Sequence, residues 1–217
     1  LGPVIDVDGV YREMIAGLYD GVSRQEIASA AVLAARARME REPEYAHLAA
    51  RLRLIDMYAE ALGAPVALHE MERLYAERFE AYLHHGIEAR LLAPDLLGFD
   101  LPALADALRA ERDLAFAFMG VQTLHDRYLL HDAGVRFELP QWFWMRVSMG
   151  LALAEEPAAR TARAIEFYGV LSTFAFCSSA PTLFNAGTLH PQLSSCFLTT
   201  VQDDLCEIFK AIRDDAM

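Results

Sequence analysis

The chain has 217 residues, of which 54% are hydrophobic and 23% are charged, and its formal net charge is −12 at pH 7. This composition is typical of a globular protein and excludes a disordered chain or a DNA-binding domain with a basic face. The sequence contains no run of about 18 apolar residues, so we predict no transmembrane helix and no membrane partner. Its three cysteines lack the spacing of a disulfide framework or a metal site, which favours a cytoplasmic location and predicts no bound metal.

Residues 23 to about 175 are predicted to be almost entirely helical, because apolar residues recur at helical spacing between Pro and Gly breaks. Ser23 and Glu26 have the spacing of a capping box, in which each side chain accepts a hydrogen bond from the other residue's backbone amide. From such start and stop signals we predict helices over 23–37, 45–62, 68–83, 102–112 with a continuation or restart to 130, 140–151 and 157–176. Gly134 marks a turn between two of them.

The pattern changes after Cys177, where Pro and Gly residues indicate an irregular segment. Residues 196–201 are the best strand candidate, because aromatic and β-branched side chains adjoin there. Asp203 and Asp204 then have the character of a helix cap, followed by apolar residues at helical spacing. A single strand cannot satisfy its own backbone hydrogen bonds, so the sequence is expected to be the front piece of a longer protein.

The irregular segment carries the most specific pattern, PTLFNAGT at residues 181–188 followed by PQLSSC at residues 191–196. This order closely resembles the large (catalytic, α) subunit of ribonucleotide reductase. Further segments that resemble the helical N-terminal domain of that subunit occur in the same order, at 111–116, 120–130, 138–147 and 164–168. Residues 19–23 and 45–52 are similar to the end of its ATP-cone region and to the linking helices.

The resemblance implies a mainly α fold. It comprises the helical N-terminal domain of the subunit, followed by the first strand and helix of its ten-stranded α/β barrel, which is incomplete here. We therefore predict a remnant of the ATP cone with linking helices over 1–63 and the helical domain over 64–176. The start of the barrel, with a substrate loop and a specificity-site segment, is predicted over 177–217.

The function implied is the reduction of ribonucleoside diphosphates to deoxyribonucleoside diphosphates by thiyl-radical chemistry, for DNA synthesis, in the class I form. The implied partners are a small radical-generating β subunit, a thioredoxin- or glutaredoxin-type reductant and a second copy of the full-length subunit. No nucleic acid is expected. The radical comes from the partner, so the chain needs no cofactor of its own, while ATP and deoxynucleoside triphosphates are allosteric effectors. The family's radical cysteine and second reducing cysteine lie beyond residue 217, so this fragment alone is expected to be inactive.

Three residues of the loop are substrate-site candidates by resemblance. Cys196 matches one of two thiols that reduce the ribose and end as a disulfide. Ser195 would hydrogen-bond the substrate, and Ala180 would contact it through its backbone. Outside this loop an isolated thiol is more often an inert core residue, which is the expectation for Cys177. A disulfide between Cys196 and Cys206 is disfavoured, because a strand would hold them too far apart.

An effector site is implied at Asp203, Asp204 and Leu205, where the family binds the deoxynucleoside triphosphate that selects the substrate base. An Asp at a helix start suits an effector hydroxyl, and the helix N-terminus also offers unpaired amides and a positive dipole. The alternative is a purely structural role, in which the two Asp residues only cap the helix.

Two other functions remain open at this point. The chain could be a non-catalytic helical module for assembly or regulation, since the radical residues are absent. It could also belong to a cobalamin-dependent reductase of the same superfamily.

Overall fold

The computed structural model describes residues 4–217, so the first three residues of the predicted ATP-cone remnant lie outside the described residues. The α-helices of the described part are α1 (Val7–Ala16), α2 (Arg24–Arg36), α3 (Tyr45–Leu62), α4 (Met71–Glu88), α5 (Leu101–Ala107), α6 (Phe118–Thr123), α7 (Pro140–Ala152), α8 (Arg160–Ser172), α9 (Ala180–Asn185) and α10 (Leu205–Ala216). Short 3-10 helices lie at Leu68–Glu70, Pro94–Gly98 and Ala110–Ala115, and a π-helix lies at Leu124–Tyr128. Two short strands, β1 (His131–Asp132) and β2 (Val135–Arg136), pair antiparallel. The mainly α prediction is confirmed.

Several local signals act as the sequence predicts. The Ser23 side chain accepts from the Glu26 amide at 3.2 Å, and Glu26 accepts from the Ser23 amide at 2.8 Å, which completes the capping box of α2. Helix α3 ends at Gly63 with φ 71°, a left-handed conformation that glycine adopts without a steric penalty. Pro140 occupies the first turn of α7, where its missing amide hydrogen is not needed.

Other predicted bounds are wrong. Helix α4 continues through Gly86 to Glu88, because Gly86 is buried where Leu92 packs on it; a Cβ there would lie 2.4 Å from a Leu92 methyl carbon. The long helix predicted from residue 102 is broken, because Leu108 and Phe116 have extended backbone.

The predictions also miss some elements. Helix α1 has no counterpart in the prediction, and the segment 180–185 forms α9 although Pro and Gly residues indicated irregular structure. The turn at Gly134 joins a hairpin that was not predicted. The helix predicted from residue 157 begins at Arg160.

Helix α7 lies at the centre of the core. Eleven of its thirteen residues are buried, including the polar Gln141 and Arg146. A helix that is apolar on nearly all sides must be surrounded, and α7 packs against α4, α8 and α9. The same core includes residues of α3 such as Leu54 and Tyr58. Helices α1 and α2 pack beside α3 around two smaller clusters.

The strand predicted over residues 196–201 is not formed. Among residues 4–217 no second strand lies beside it, and a lone strand leaves its backbone groups without partners. The segment is exposed, with Leu198 98% accessible. Of the two elements predicted for the start of a barrel, the helix is present as α10 and the strand is absent.

Candidate functional site

A buried ion pair lies beneath the loop that the sequence singles out. Arg146 on α7 and Glu138 have fully buried side chains, with Nε of the arginine 2.7 Å from Oε1 of the carboxylate. Glu138 also accepts from the Tyr82 hydroxyl at 2.5 Å and from the Leu130 amide at 2.9 Å. Burial opposes the charge on Arg146, but the Glu138 carboxylate outweighs it and raises the pKa of the guanidinium, so Arg146 stays charged.

The remaining donors of Arg146 reach the backbone of α9. Its Nη1 donates to the carbonyl oxygen of Ala186 at 2.7 Å and to that of Phe184 at 3.5 Å, and Nη2 donates to that of Leu183 at 3.4 Å. The last carbonyls of a helix have no partners within it. Arg146 therefore satisfies the end of α9 from inside the core.

The chain after α9 folds back onto this helix. The Thr182 hydroxyl donates to the Leu193 carbonyl at 3.1 Å, and the Asn185 amide group donates to the Gln192 carbonyl at 2.7 Å. Leu193 packs against the main core. The loop thus has two hydrogen-bonded sides.

Two glycines let the turn after α9 approach α7 closely. A Cβ on Gly150 would lie 2.1 Å from the Gly187 nitrogen, so no larger residue fits without a backbone shift. Gly187 itself has φ 77°. The Gly187 carbonyl accepts from the Ala93 amide at 3.0 Å, which ties the turn to the segment after α4.

The loop residues predicted from the sequence lie near this anchored turn. Ala180 begins α9, two residues before Thr182, and Ser195 follows two residues after Leu193, so the contact between Thr182 and Leu193 brings the two chain segments together. Ser195 Oγ lies 3.7 Å from Cys196 Sγ, and both residues are exposed. The sulfur of Cys196 is free and is not enclosed by aliphatic side chains.

A cleft of about 550 Å³ lies beside the loop. Its lining includes Ser194, Asn185 and Phe184 from the loop and α9, together with Arg90 and Leu130 from the opposite side. Cys196 is not among the lining residues. The cleft therefore borders the predicted substrate site without containing its thiol.

The other cysteines differ from the prediction in part. Cys177 is exposed, so its assignment as a small core residue is wrong; helix α8 ends at Ser172, before the chain reaches it. Cys206 is also exposed and free, in the first turn of α10.

The predicted effector residues lie at the start of α10. The Asp204 side chain accepts from the amides of Cys206 at 3.0 Å and Glu207 at 3.1 Å, so it caps the helix. Asp203 is exposed, and Leu205 is 66% accessible. The cap is therefore real, and an effector contact at these residues stays a prediction.

A second buried polar group, which the sequence pattern does not predict, is centred on Asp113. This carboxylate accepts from the hydroxyls of Tyr58 at 2.6 Å and Tyr75 at 2.5 Å, and from the Gln141 amide group at 2.6 Å. Burial raises the pKa of Asp113 to about 6, although these three hydrogen bonds act to lower it. The three partners lie 28 to 55 residues from Asp113 in the chain, so no local pattern indicates them.

A third polar group, also not predicted from the sequence, surrounds His125 in the π-helix. Its Nε2 lies 2.9 Å from Glu60 Oε2 and its Nδ1 lies 3.0 Å from Asp126 Oδ1. Burial acts to raise the pKa of Glu60, but the hydrogen bonds from His125 and from the Arg136 amide outweigh it, so the pKa is lowered. This group joins α3 to the hairpin.

Within residues 4–217 no cluster of three His, Cys, Asp or Glu residues has the geometry of a metal site. In the same part of the chain no helix is both long and apolar enough to cross a membrane.

Comparisons with known proteins address the identity of the chain. Residues 114–191 match the family model described as ribonucleotide reductase, all-alpha domain. The chain is 49% identical over 202 residues to the ribonucleoside-diphosphate reductase subunit alpha of Chlamydia trachomatis, which covers 93% of this chain and 19% of that protein. It is 35% identical over 214 residues to the ribonucleoside-diphosphate reductase large subunit of Danio rerio, which covers 98% of this chain and 26% of that protein.

The fold and these matches define a helical domain that ends in a polar, thiol-bearing loop. The chain belongs to the ribonucleotide reductase large-subunit family, as the resemblance implied. It spans about a fifth to a quarter of the length of the curated relatives it matches.

Proposed function

We propose that this chain is part of a ribonucleoside-diphosphate reductase, which reduces ribonucleoside diphosphates to deoxyribonucleoside diphosphates by thiyl-radical chemistry. The observation that carries the proposal is an exposed thiol, Cys196, beside the Ser195 hydroxyl on a loop that is anchored from within the core. Relatives that cover nearly the whole chain bear the name of this enzyme.

The proposed role of Cys196 is to supply one of two thiols. Replacing the 2′-hydroxyl of a ribose by hydrogen takes two electrons and two protons. Two thiols provide both: the hydroxyl leaves as water, the carbon gains hydrogen, and the two sulfurs become a disulfide. The second thiol comes from outside these 217 residues. Ser195 would hydrogen-bond the substrate, and Ala180 would contact it through its backbone at the first turn of α9.

The proposal includes regulation and partners. Asp203, Asp204 and Leu205 would contact a deoxynucleoside triphosphate effector, with Asp204 also holding the start of α10. A small β subunit would generate the radical, a thioredoxin- or glutaredoxin-type protein would reduce the disulfide, and two copies of the full-length subunit would form a dimer. The exposed apolar residues of α10 support an interface there: Leu205, Phe209 and Ile212.

The decisive experiment replaces the loop thiol in the full-length protein, assayed with its radical-generating subunit, a ribonucleoside diphosphate and a dithiol reductant. We expect Cys196→Ser to reduce multiple turnover by at least about 100-fold, because one of the two reducing thiols is lost. Cys177→Ser is the matched control, since that thiol is also exposed and free. It should retain activity.

Three results would replace the proposal. Unchanged turnover in Cys196→Ser would remove the redox assignment. Turnover by the wild type with cobalamin and without a β subunit would identify a cobalamin-dependent reductase instead. Absence of any reductase activity in the full-length protein, with every component present, would favour a non-catalytic assembly module.

A further inference from the structure

Arg146 is a charged residue at a position where packing alone does not require a charge. It is fully buried in the middle of α7, and a buried ion pair is weak evidence for stability, because the desolvation of both charges offsets their attraction. Apolar side chains of similar volume would fill this space as well. The charge therefore requires an explanation other than packing.

Its contacts supply that explanation. Glu138 occupies Nε and approaches Nη2 at 3.3 Å, while Nη1 donates only to backbone carbonyls, that of Phe184 in α9 and that of Ala186 directly after it. Glu138 itself is held by Tyr82 and Leu130, so the guanidinium cannot rotate away. A planar group fixed on one edge presents its other donors in one direction.

Helix α9 needs such an anchor because it is short. Its six residues make few internal hydrogen bonds, and isolated helices of this length are unstable. Arg146 binds the carbonyls of Leu183 and Ala186, which fixes where α9 ends and how it is rotated. The close approach of Gly150 and Gly187 keeps the turn within reach of the guanidinium.

The orientation of α9 then determines the position of the loop. Thr182 and Asn185 are the residues of α9 that hold the returning segment of the loop, through the carbonyls of Leu193 and Gln192. Ser195 and Cys196 follow directly. Hydrogen bonds thus run from the buried pair to the backbone of α9 and from α9 to Gln192 and Leu193, and Cys196 follows three residues after Leu193 in the chain.

We infer that Arg146 is a positioning residue, which with Glu138 orients α9 and thereby holds Ala180, Ser195 and Cys196 in place for a ribonucleoside diphosphate. The catalytic part of this inference rests on the proposed function, and the anchoring of the loop does not. Arg146 touches no substrate; it acts through the backbone of α9.

The test compares Arg146→Lys with the wild-type full-length protein. Lysine keeps a positive charge opposite Glu138, but a single ammonium cannot reach the carboxylate and the separated carbonyls together. We expect amide hydrogen exchange over residues 183–196 to accelerate while exchange in α8 is unchanged. We expect kcat/KM for the diphosphate to fall about 10- to 100-fold, since small misplacements of reacting groups have effects of this size.

A matched control separates positioning from loss of stability. Tyr58→Phe removes one hydroxyl from the Asp113 group, which is buried as deeply but has no contact with the loop. If Tyr58→Phe lowers Tm as much as Arg146→Lys does, it should still leave amide hydrogen exchange over residues 183–196 and kcat/KM within about twofold of the wild-type values. If Arg146→Lys does not fold, the double variant Glu138→Gln with Arg146→Met removes both charges, leaves neither unpaired, and should give the same two changes.

Three outcomes would overturn the inference. They are unchanged exchange over residues 183–196 in an Arg146 variant, equal acceleration in Tyr58→Phe, and a loosened loop with wild-type kcat/KM. Exchange is measured without substrate, so it decides the anchoring role even if Cys196→Ser leaves turnover intact and the proposed function fails.

Discussion

Helices α7 and α10 differ in how much of their apolar surface is buried. Eleven of thirteen residues are buried in α7, whereas in α10 only Ala211 is buried. Within residues 4–217 nothing covers Phe209 or Ile212, which are 63% and 59% accessible. Helix α7 is buried by other helices of this chain. Its Arg146 also holds the start of the loop after α9, through hydrogen bonds to the carbonyls of Leu183 and Ala186. Within the described residues no buried charged side chain holds the segment after Cys196; its contacts are exposed ones, such as the Thr199 hydroxyl donating to Asp215 at 2.6 Å and the Asp204 cap of α10.

The largest expected effect comes from truncating the same type of side chain in the two helices. Phe143→Ala in α7 should lower the free energy of unfolding by about 3–5 kcal/mol, because it removes a fully buried ring and leaves a cavity. Phe209→Ala in α10 should change it by less than about 0.5 kcal/mol. Urea unfolding of the two variants measures the difference. Equal effects would show that α10 is covered in solution.

The next effect is a pH dependence of the free energy of unfolding, caused by Asp113, which accepts a hydrogen bond from Gln141 of α7. Burial raises the pKa of Asp113 from 3.8 to about 6, so the folded state binds a proton more readily than the unfolded state. The stability from this group is present below pH 3.8 and is lost as pH rises through about 6, a difference of about 3 kcal/mol. Glu60 and Asp126 have lowered pKa values and act in the opposite direction, so their stability is lost on acidification.

The contribution of Asp113 is isolated by a difference measurement. The free energy of unfolding of the wild type minus that of Asp113→Asn should rise as pH falls from about 7 to about 4, because Glu60 and Asp126 contribute equally to both proteins. A flat difference would mean that Asp113 titrates alike in the folded and unfolded states.

A smaller effect is expected where α7 meets the turn after α9. Gly150→Ala should destabilise the protein by about 1–3 kcal/mol, because the added methyl would meet the backbone at Gly187. Gly169→Ala in α8 is the control. Beyond the backbone of its own helix, nothing lies within 4 Å of where the added methyl would be, so this change should stabilise the helix by about 0.5–1 kcal/mol. Thermal unfolding resolves the opposite signs. The same sign for both would mean that the turn yields freely.

The sequence predicts this molecule well wherever the signal is local. The Ser23 capping box, the end of α3 at Gly63 and the start of α7 at Pro140 each depend on a few neighbouring residues, and all three form. The loop motif identified the family because its residue order is specific. Its role at the level of residues stays a prediction.

The rest could not be predicted because it depends on distant partners. Gly86 indicated a helix end, but Leu92 packs on it and the helix continues. The strand over 196–201 had the right residue types, yet no neighbouring strand among residues 4–217 pairs with it. The anchoring of the loop by Arg146 involves partners 37 to 40 residues away, which helical spacing alone cannot indicate.

The smallest effect tests α10 and its cap. Asp204→Ala should lower the stability of α10 by about 1 kcal/mol, because the amides of Cys206 and Glu207 lose their acceptor. Hydrogen exchange within α10 measures this loss, and Asp203→Ala should leave it unchanged. The two variants also separate the two interpretations of this segment. If Asp203→Ala weakens effector binding while α10 stays protected, the acidic pair does more than cap the helix. If only Asp204→Ala weakens binding, and in proportion to lost protection, capping alone accounts for both residues.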